Sequence, residues 1–194
     1  MGNALAKAFA TQAGTAAQTI SAKSKYTKTY GNKAFKLNAK RKKGSGMLYY
    51  RSSNTNVAAV NSSGKVTIKG PGKATITISA APNTVYKSAS KTVTITVKPK
   101  RAKITAARSK KYKTLTVKWK KDSKASGYQV VIAQNQSFKK GKKTAVIKKK
   151  STTSKTFKKL PSGKTYYVKV RAYKKAGSKK VYGSYSKVKK IKTR

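Results

Sequence analysis

Hydrophobic and polar residues alternate in many short runs along this chain, and glycine, proline or asparagine separates one run from the next. Residues 74–80, 93–97, 115–119 and 128–132 all show the alternation. A period of two residues is the spacing of a β-strand that buries one face and exposes the other. Short strands with turn signals between them predict an all-β chain that packs as sandwiches.

The turn signals divide the chain into successive elements. We predict a first strand near Thr19 to Lys25, a basic turn at residues 41–46 and a last strand over residues 181–191. At 194 residues the chain is long enough for two domains, each with its own core. The expected division is a leader or linker rich in Ala, Thr and Gln at 1–20, a domain at 21–98, a linker at 99–101 and a second domain at 102–194.

Four short blocks follow one another in the first domain: Tyr50-Arg-Ser-Ser-Asn54, Val57-Ala-Ala-Val60, Gly64-Lys-Val-Thr67 and Gly72-Lys-Ala-Thr-Ile-Thr77. In their order and spacing along the chain, these blocks resemble a bacterial immunoglobulin-like domain of group 2. The resemblance implies an extracellular spacer or adhesion module with no catalytic residue.

The stretch from Leu160 to Lys174 resembles the sixth-strand corner of a fibronectin type III domain. There a Leu-Pro-Gly turn precedes a Tyr-x-Val-x-Val-x-Ala strand, and the resemblance makes Tyr166 the corner tyrosine, with a buried ring and a hydroxyl bonded back to the turn. It also implies that Trp119 and Tyr128 belong to the core. Together the two resemblances predict two tandem immunoglobulin-like β-sandwiches, similar to the Lys-rich surface proteins of gut clostridia.

Composition excludes most catalytic chemistry. The chain has no His, no Cys, no Glu and a single Asp, Asp122. Zinc sites, carboxylate pairs and Ser-His-Asp arrangements cannot be assembled from these residues, so we expect no enzyme activity, no metal and no cofactor. Ser-x-x-Lys spacings occur, but a chain this rich in lysine produces them by chance, and the motifs that accompany such dyads are absent. Nor does the chain hold a run of about 18 apolar residues.

Charge is the unusual property of the sequence. Fifty Lys and Arg residues stand against one acid, a formal net charge of +49, and only six of the fifty are Arg. Lys is a hydrated point charge, whereas Arg forms the planar fork that reads bases, so the composition favours general anion binding over sequence-specific recognition. The predicted binding residues are exposed lysines of the second domain: Lys139, Lys140, Lys142, Lys143, Lys148, Lys149, Lys150, Lys158, Lys159, Lys174, Lys175, Lys179 and Lys180.

The twelve tyrosines divide between core and surface. The pattern places Tyr50 and Tyr112 in the cores, while Tyr173, Tyr182 and Tyr185 fall at outward positions among lysines. Aromatic rings beside cations are typical of surfaces that stack sugars or bases.

These observations predict a non-catalytic, monomeric module, secreted or attached to the cell wall of a Gram-positive bacterium. Its expected partners are anionic polymers: teichoic acids, sulfated or sialylated glycans, extracellular DNA and, in vitro, any nucleic acid. Two alternatives stay open. One is a purely structural spacer or stalk, and the other is a basic protein that condenses nucleic acid without sequence preference.

Overall fold

The computed structural model describes residues 14–194, and these residues form strands and turns without a helix. They divide into two compact units: most of residues 14–96 form the first, and Val97–Arg194 form most of the second. The all-β prediction is confirmed.

The first unit contains nine strands in three sheets. The strands are β1 (Thr19–Ser21), β2 (Lys25–Thr29), β3 (Phe35–Lys36), β4 (Lys40–Lys43), β5 (Leu48–Ser52), β6 (Ala58–Val60), β7 (Lys65–Ile68), β8 (Gly72–Ala80) and β9 (Ala89–Lys98). One sheet has the order β2-β9-β8-β5, a second has the order β3-β7-β6, and β1 pairs with β4.

Alternation along the two long strands builds the core of this unit. Ala74, Ile76, Ile78 and Ala80 of β8 are all buried, and so are the apolar residues of β9 at 93, 95 and 97. The residues between them are mostly Thr, which suits the solvated face of a strand. At the turn before β7, Gly64 has a φ of 72°, and a Cβ there would lie 2.9 Å from the ring of Tyr50. Glycine is therefore required both by the backbone and by the close approach of Tyr50.

Part of the predicted leader belongs to this unit. Ala16 forms a parallel bridge with Tyr86, and the buried Gln18 donates to the carbonyls of Ala81 (2.8 Å) and Lys87 (2.6 Å). These bonds satisfy polar groups that alternation along the sequence does not reveal. The rest of the predicted leader, residues 1–13, lies outside the described residues.

Only the second part of the predicted basic turn at residues 41–46 is a turn, because its first part belongs to a strand. Lys40–Lys43 form β4, with Arg41 opposite Ile20 of β1. The Arg41 guanidinium donates to the carbonyls of Ser45 (3.2 Å) and Gly46 (2.9 Å), which closes the turn that follows the strand.

The second unit contains eight strands in two sheets. The strands are β10 (Ile104–Arg108), β11 (Leu115–Trp119), β12 (Gly127–Ala133), β13 (Lys143–Ile147), β14 (Ser154–Phe157), β15 (Thr165–Ala176), β16 (Lys179–Tyr182) and β17 (Lys189–Lys192). A three-stranded sheet has the order β10-β11-β14. A five-stranded sheet has the order β13-β12-β15-β16, with β17 also paired to β15. The two sheets pack face to face around one core, so this unit is a β-sandwich.

Three aromatic residues and Leu160 lie in this core, as predicted. Trp119, Tyr128, Leu160 and Tyr166 are all buried, and the rings of Trp119 and Tyr128 lie 5.3 Å apart. The Tyr128 hydroxyl accepts from the backbone N–H of Asp122 at 2.7 Å. Burial raises the pKa of the Tyr128 phenol, because the charged form would lose its hydration.

The predicted bond from the Tyr166 hydroxyl to the turn before it is wrong. The hydroxyl instead accepts from the Gln134 side-chain amide at 3.2 Å. The turn is instead held by Thr193, a buried residue that follows the last strand. Its hydroxyl donates to the carbonyl of Pro161 (2.7 Å) and accepts from the N–H of Lys164 (3.2 Å).

The predicted last strand over residues 181–191 is divided in two. Between β16 and β17 the backbone N–H of Val170 donates to the Ser186 hydroxyl at 3.1 Å, while the Ser186 N–H donates to the Val170 carbonyl at 2.7 Å. A side-chain oxygen thus replaces a backbone acceptor, and regular pairing stops there.

Candidate functional site

The predicted lysines fall at two ends of the five-stranded sheet. The turn after β13 and the β15–β16 hairpin lie at one end, because Gly127 pairs with Tyr173 and Tyr128 with Ile147. The other end holds the β12–β13 loop and the approach to β15. The first group is Lys148, Lys149, Lys150, Lys174, Lys175, Lys179 and Lys180; the second is Lys139, Lys140, Lys142, Lys143, Lys158 and Lys159. The length of β12 separates the groups by about 20 Å, so these lysines do not form one site.

A different surface brings cations together. The outward face of the three-stranded sheet carries an open groove of about 620 Å³. We call it the basic groove. Its lining is Ala106, Arg108, Lys110, Lys111, Thr114, Thr116, Lys118, Thr156 and Lys158. Of the lysines predicted to bind, only Lys158 lines it.

A row of side chains across three strands forms the floor of the basic groove. Arg108 of β10 is opposite Thr116 of β11, and Thr116 is opposite Thr156 of β14. The two threonine hydroxyls are 2.8 Å apart and hydrogen bonded to each other. Beside them Lys118 lies opposite Ala106, whose small side chain leaves the groove open.

A β-bulge places Arg108 in this row. Ile104 is opposite Trp119 and Ala106 is opposite Lys118, so Thr105 is an extra residue in β10. A bulge reverses the side to which later side chains point. Ile104 is therefore buried in the core, whereas Arg108 is exposed on the outward face.

Two loops supply the remaining cations. In the β10–β11 hairpin, the Ser109 hydroxyl donates to the Thr114 carbonyl (2.6 Å) and the Thr114 hydroxyl donates to the Lys111 carbonyl (2.8 Å). The N–H of Leu160 donates to the Lys113 carbonyl at 3.0 Å, which joins the β14–β15 loop to this hairpin. These bonds hold Lys110, Lys111 and Lys158 along the same groove.

The electrostatics of the basic groove are uniformly positive. It has five cations and no acid in its lining. The one acid of the chain, Asp122, lies in the loop after β11, where its carboxylate accepts from the N–H of Lys124 at 2.9 Å. A concave surface with one sign of charge concentrates ions of the opposite sign.

Alternation in the sequence indicated that Thr116 and Lys118 point outward, but it did not reveal the groove. The sequence did not reveal that Arg108 faces the groove, because the bulge in β10 breaks the alternation. Lys110 and Lys111 were one basic pair among many, and only tertiary hydrogen bonds distinguish them.

The outward face of the five-stranded sheet carries the second notable arrangement, a cation–aromatic stack formed by Phe138, Lys169, Arg171, Tyr182 and Tyr185. Lys169 Nζ lies 3.7 Å from the Phe138 ring centroid and 4.5 Å from that of Tyr185. The Arg171 guanidinium carbon lies 3.9 Å from the Tyr182 centroid and 4.4 Å from that of Tyr185. Desolvation lowers the pKa of the Lys169 ammonium, and the charges of Lys142 and Arg171 lower it further.

The stack accounts for two of the three tyrosines that the sequence placed at outward positions, Tyr182 and Tyr185. The Tyr185 hydroxyl and the Arg171 Nε both donate to the Gln129 Oε1, at 2.9 and 2.7 Å. Tyr173 lies on the same face but is fully buried, close against Gly127. The rings of Tyr182 and Tyr185 are half-buried in the stack, so they offer little open surface to a ligand. Tyr112, predicted to be in the core, is instead 66% exposed at the tip of the β10–β11 hairpin.

Within residues 14–194, no three His, Cys, Asp or Glu side chains lie close enough to hold a metal ion. The same part of the chain has no helix that is long and apolar enough to cross a membrane.

Family models match both halves of the chain. Residues 31–82 match the model described as the immunoglobulin-like domain of intimin, and residues 97–187 match the fibronectin type III domain. A search of the curated proteins gave no match.

Three solved structures illustrate the structural likeness. A redesigned β-sandwich protein is 19% identical, with 48% of this chain and 94% of that chain covered at a TM-score of 0.39. The fn3 domain of human collagen alpha-1(XX) chain is 20% identical, with coverages of 48% and 86% and a TM-score of 0.39. The FN1–FN3 domains of chicken CNTN1 are 16% identical, with coverages of 92% and 66% and a TM-score of 0.41.

Domains of these two types are typically non-catalytic modules of cell-surface or structural proteins. The predicted order of domain types is confirmed, and the model that matches the first domain is that of intimin. The chain therefore consists of an immunoglobulin-like domain followed by a fibronectin type III domain, arranged as tandem β-sandwiches.

Proposed function

We propose that this chain is a non-catalytic module of a Gram-positive cell surface that binds anionic polymers through the basic groove of its fibronectin type III domain. Candidate polymers are wall teichoic acids, sulfated or sialylated glycans and extracellular DNA. The diffuse charge of the rest of the chain attracts such polymers from a distance, and the groove holds them.

The observation that supports this proposal most is the convergence of five cations on one open face without an acid among them. Arg108 and Lys118 project from paired strands, so a rigid sheet sets their separation. A rigid site loses less conformational entropy on binding than lysines on mobile loops. Only Arg108 can grip an anionic group in two places, and the lysines act as point charges beside it.

Salt dependence should report how many charges the groove contributes. Each phosphate neutralised on a flexible polyanion adds about 0.7 to the slope of log affinity against log salt. Removing three groove cations should therefore lower that slope by about 2. Removing three cations elsewhere should change it less, because the polymer contacts them only transiently.

The test compares two variants with the same change in net charge. One replaces Arg108, Lys110 and Lys118 by Gln, and the other replaces Lys139, Lys140 and Lys142 by Gln. All six positions are exposed, so both variants should fold. Binding to teichoic acid, heparin and DNA is measured across a salt series, with a neutral glycan as the control. The groove variant should lose most of its affinity and the loop variant little.

A structural spacer is the second candidate, and the tandem arrangement of two sandwich domains favours it. In that case the charge keeps the chain soluble and extended, and no face binds polyanions more tightly than another. The two variants would then lose affinity equally for every polyanion, and all binding would vanish at moderate salt.

A further inference from the structure

We propose that the basic groove takes single-stranded nucleic acid, and that Tyr112 at its end stacks on an unpaired base. This inference rests on the proposed function of the groove and names its ligand. It depends on three observations: the hydrogen-bonding groups of the lining, the exposure of Tyr112 and the width of the sheet.

Donors dominate the lining of the basic groove. Its four lysines and Arg108 can only donate hydrogen bonds, and its remaining polar side chains are threonine hydroxyls. No amide or carboxylate side chain lines it. Thr116 and Thr156 already share one hydrogen bond, which uses part of their capacity. Phosphate oxygens only accept, so they match such a surface. Sugar hydroxyls also donate, and this lining gives them few acceptors.

Tyr112 adds an aromatic ring to this phosphate-binding surface. It is 66% exposed and lies in the hairpin between Lys111 and Thr114, both of which line the groove. Lys113 Nζ lies 4.9 Å from its ring centroid. A phosphodiester polymer without rings, such as a teichoic acid, has nothing to stack on this side chain. A base has a π-face, and stacking on aromatic side chains is how many proteins hold single strands.

The dimensions of the site favour a single strand over a duplex. The sheet beneath the groove is narrow, because neighbouring strands are about 4.8 Å apart and the axes of β10 and β14 are therefore separated by about 10 Å. This width suits the phosphates of one strand. A duplex hides the faces of its bases, whereas a single strand can turn one base towards Tyr112 while its phosphates follow the cations. Lys-dominated contacts carry no sequence information, so binding should tolerate any sequence.

The experiment measures the affinity of the whole chain for three probes in parallel salt series. The probes are an oligothymidylate of about twelve nucleotides, inorganic polyphosphate of similar charge and a sulfated oligosaccharide. The variants are Tyr112→Ala, Tyr112→Phe and Tyr49→Ala. Tyr49 is the matched control, because it is 56% exposed and lies in the first domain.

Tyr112→Ala should weaken oligothymidylate binding about tenfold, because stacking of one base is lost. The salt slope should not change, since stacking releases no counterions. Polyphosphate affinity should stay the same in every variant, and both Tyr112→Phe and Tyr49→Ala should bind oligothymidylate as the wild type does.

Two outcomes would overturn the inference. One is equal binding of oligothymidylate and polyphosphate with no effect of Tyr112→Ala, which means a ring-free polyanion site. The other is tightest binding of the sulfated probe with the Tyr112 effect confined to it, which means a glycan site. Both would leave the proposed function intact if the Arg108, Lys110 and Lys118 variant still loses more affinity than its matched control. Equal loss in those two variants is the separate result that contradicts the groove itself.

Discussion

Ile104 and Arg108 lie four residues apart on one strand, yet Ile104 is buried in the core and Arg108 is exposed on the opposite face. The extra residue Thr105 reverses the alternation between them, since Ile104 pairs with Trp119 and Ala106 with Lys118. The bulge thus gives β10 a core residue at one end and a groove residue at the other.

Deletion of Thr105 should change the free energy of unfolding of the second domain by less than about 1 kcal/mol, because removal of the extra residue leaves a regular strand. Ile104 and Arg108 are then three residues apart, so alternation still places them on opposite faces. Urea unfolding followed by the fluorescence of Trp119, the one tryptophan of the chain, reports on this domain. Thr105→Ala is the control and should cost less than about 0.5 kcal/mol, because Thr105 is exposed. A loss of about 2–4 kcal/mol in the deletion variant would contradict this register, since it would mean that Arg108 turns towards the core.

The corner before β15 should depend more on Thr193 than on the hydroxyl of Tyr166. Thr193→Val keeps the side-chain volume but removes the bonds to Pro161 and Lys164, at a cost of about 1–3 kcal/mol. Tyr166→Phe removes only the bond from the partly exposed Gln134 and should cost less than about 1 kcal/mol. The urea midpoints of the two variants show which substitution costs more stability. A larger loss for Tyr166→Phe would mean that the tyrosine hydroxyl holds the corner, as the sequence predicted.

Phe138 and Lys169 should stabilise each other measurably. Phe138 is 7% exposed, and Lys169 Nζ lies 3.7 Å from its ring centroid. A double-mutant cycle with Phe138→Leu and Lys169→Met should give a coupling of about 0.5–2 kcal/mol. Additive effects, within about 0.3 kcal/mol, would mean that the contact contributes packing alone. Thr144→Ala with Lys169→Met serves as the control pair.

The second domain should lose stability as the pH rises above 10 because of Tyr128. The pKa of this buried phenol lies above its ordinary value of 10.0, so the unfolded chain gives up its proton first. Stability from this group is complete below pH 10 and falls as the pH rises towards the folded pKa. Lysine deprotonation also occurs there, so the quantity to measure is the difference between the wild type and Tyr128→Phe. The stability advantage of the wild type should be smaller at about pH 11 than at about pH 9, and a constant difference would contradict the prediction.

Much of the fold followed from the sequence because both cores follow a period of two. Trp119, Tyr128, Leu160 and Tyr166 are buried as expected, and the order of domain types is confirmed. The errors occurred where a side chain replaces a backbone partner. Ser186 interrupts the last strand, Arg41 closes a turn from within a strand, and Thr193 takes the role expected of Tyr166. Such bonds join residues distant in sequence, and no local pattern records them.

The sequence by itself determined the all-β class, the two domains, the cores and the absence of catalytic residue types. These properties depend on composition and alternation, which are local. Only the tertiary structure decided which of the many cations lie together on one face. The basic groove requires the bulge at Thr105, the β10–β11 hairpin and the β14–β15 loop to meet on one face. Charge at a single position is visible in a sequence, but the concentration of charge on a surface depends on which strands are neighbours.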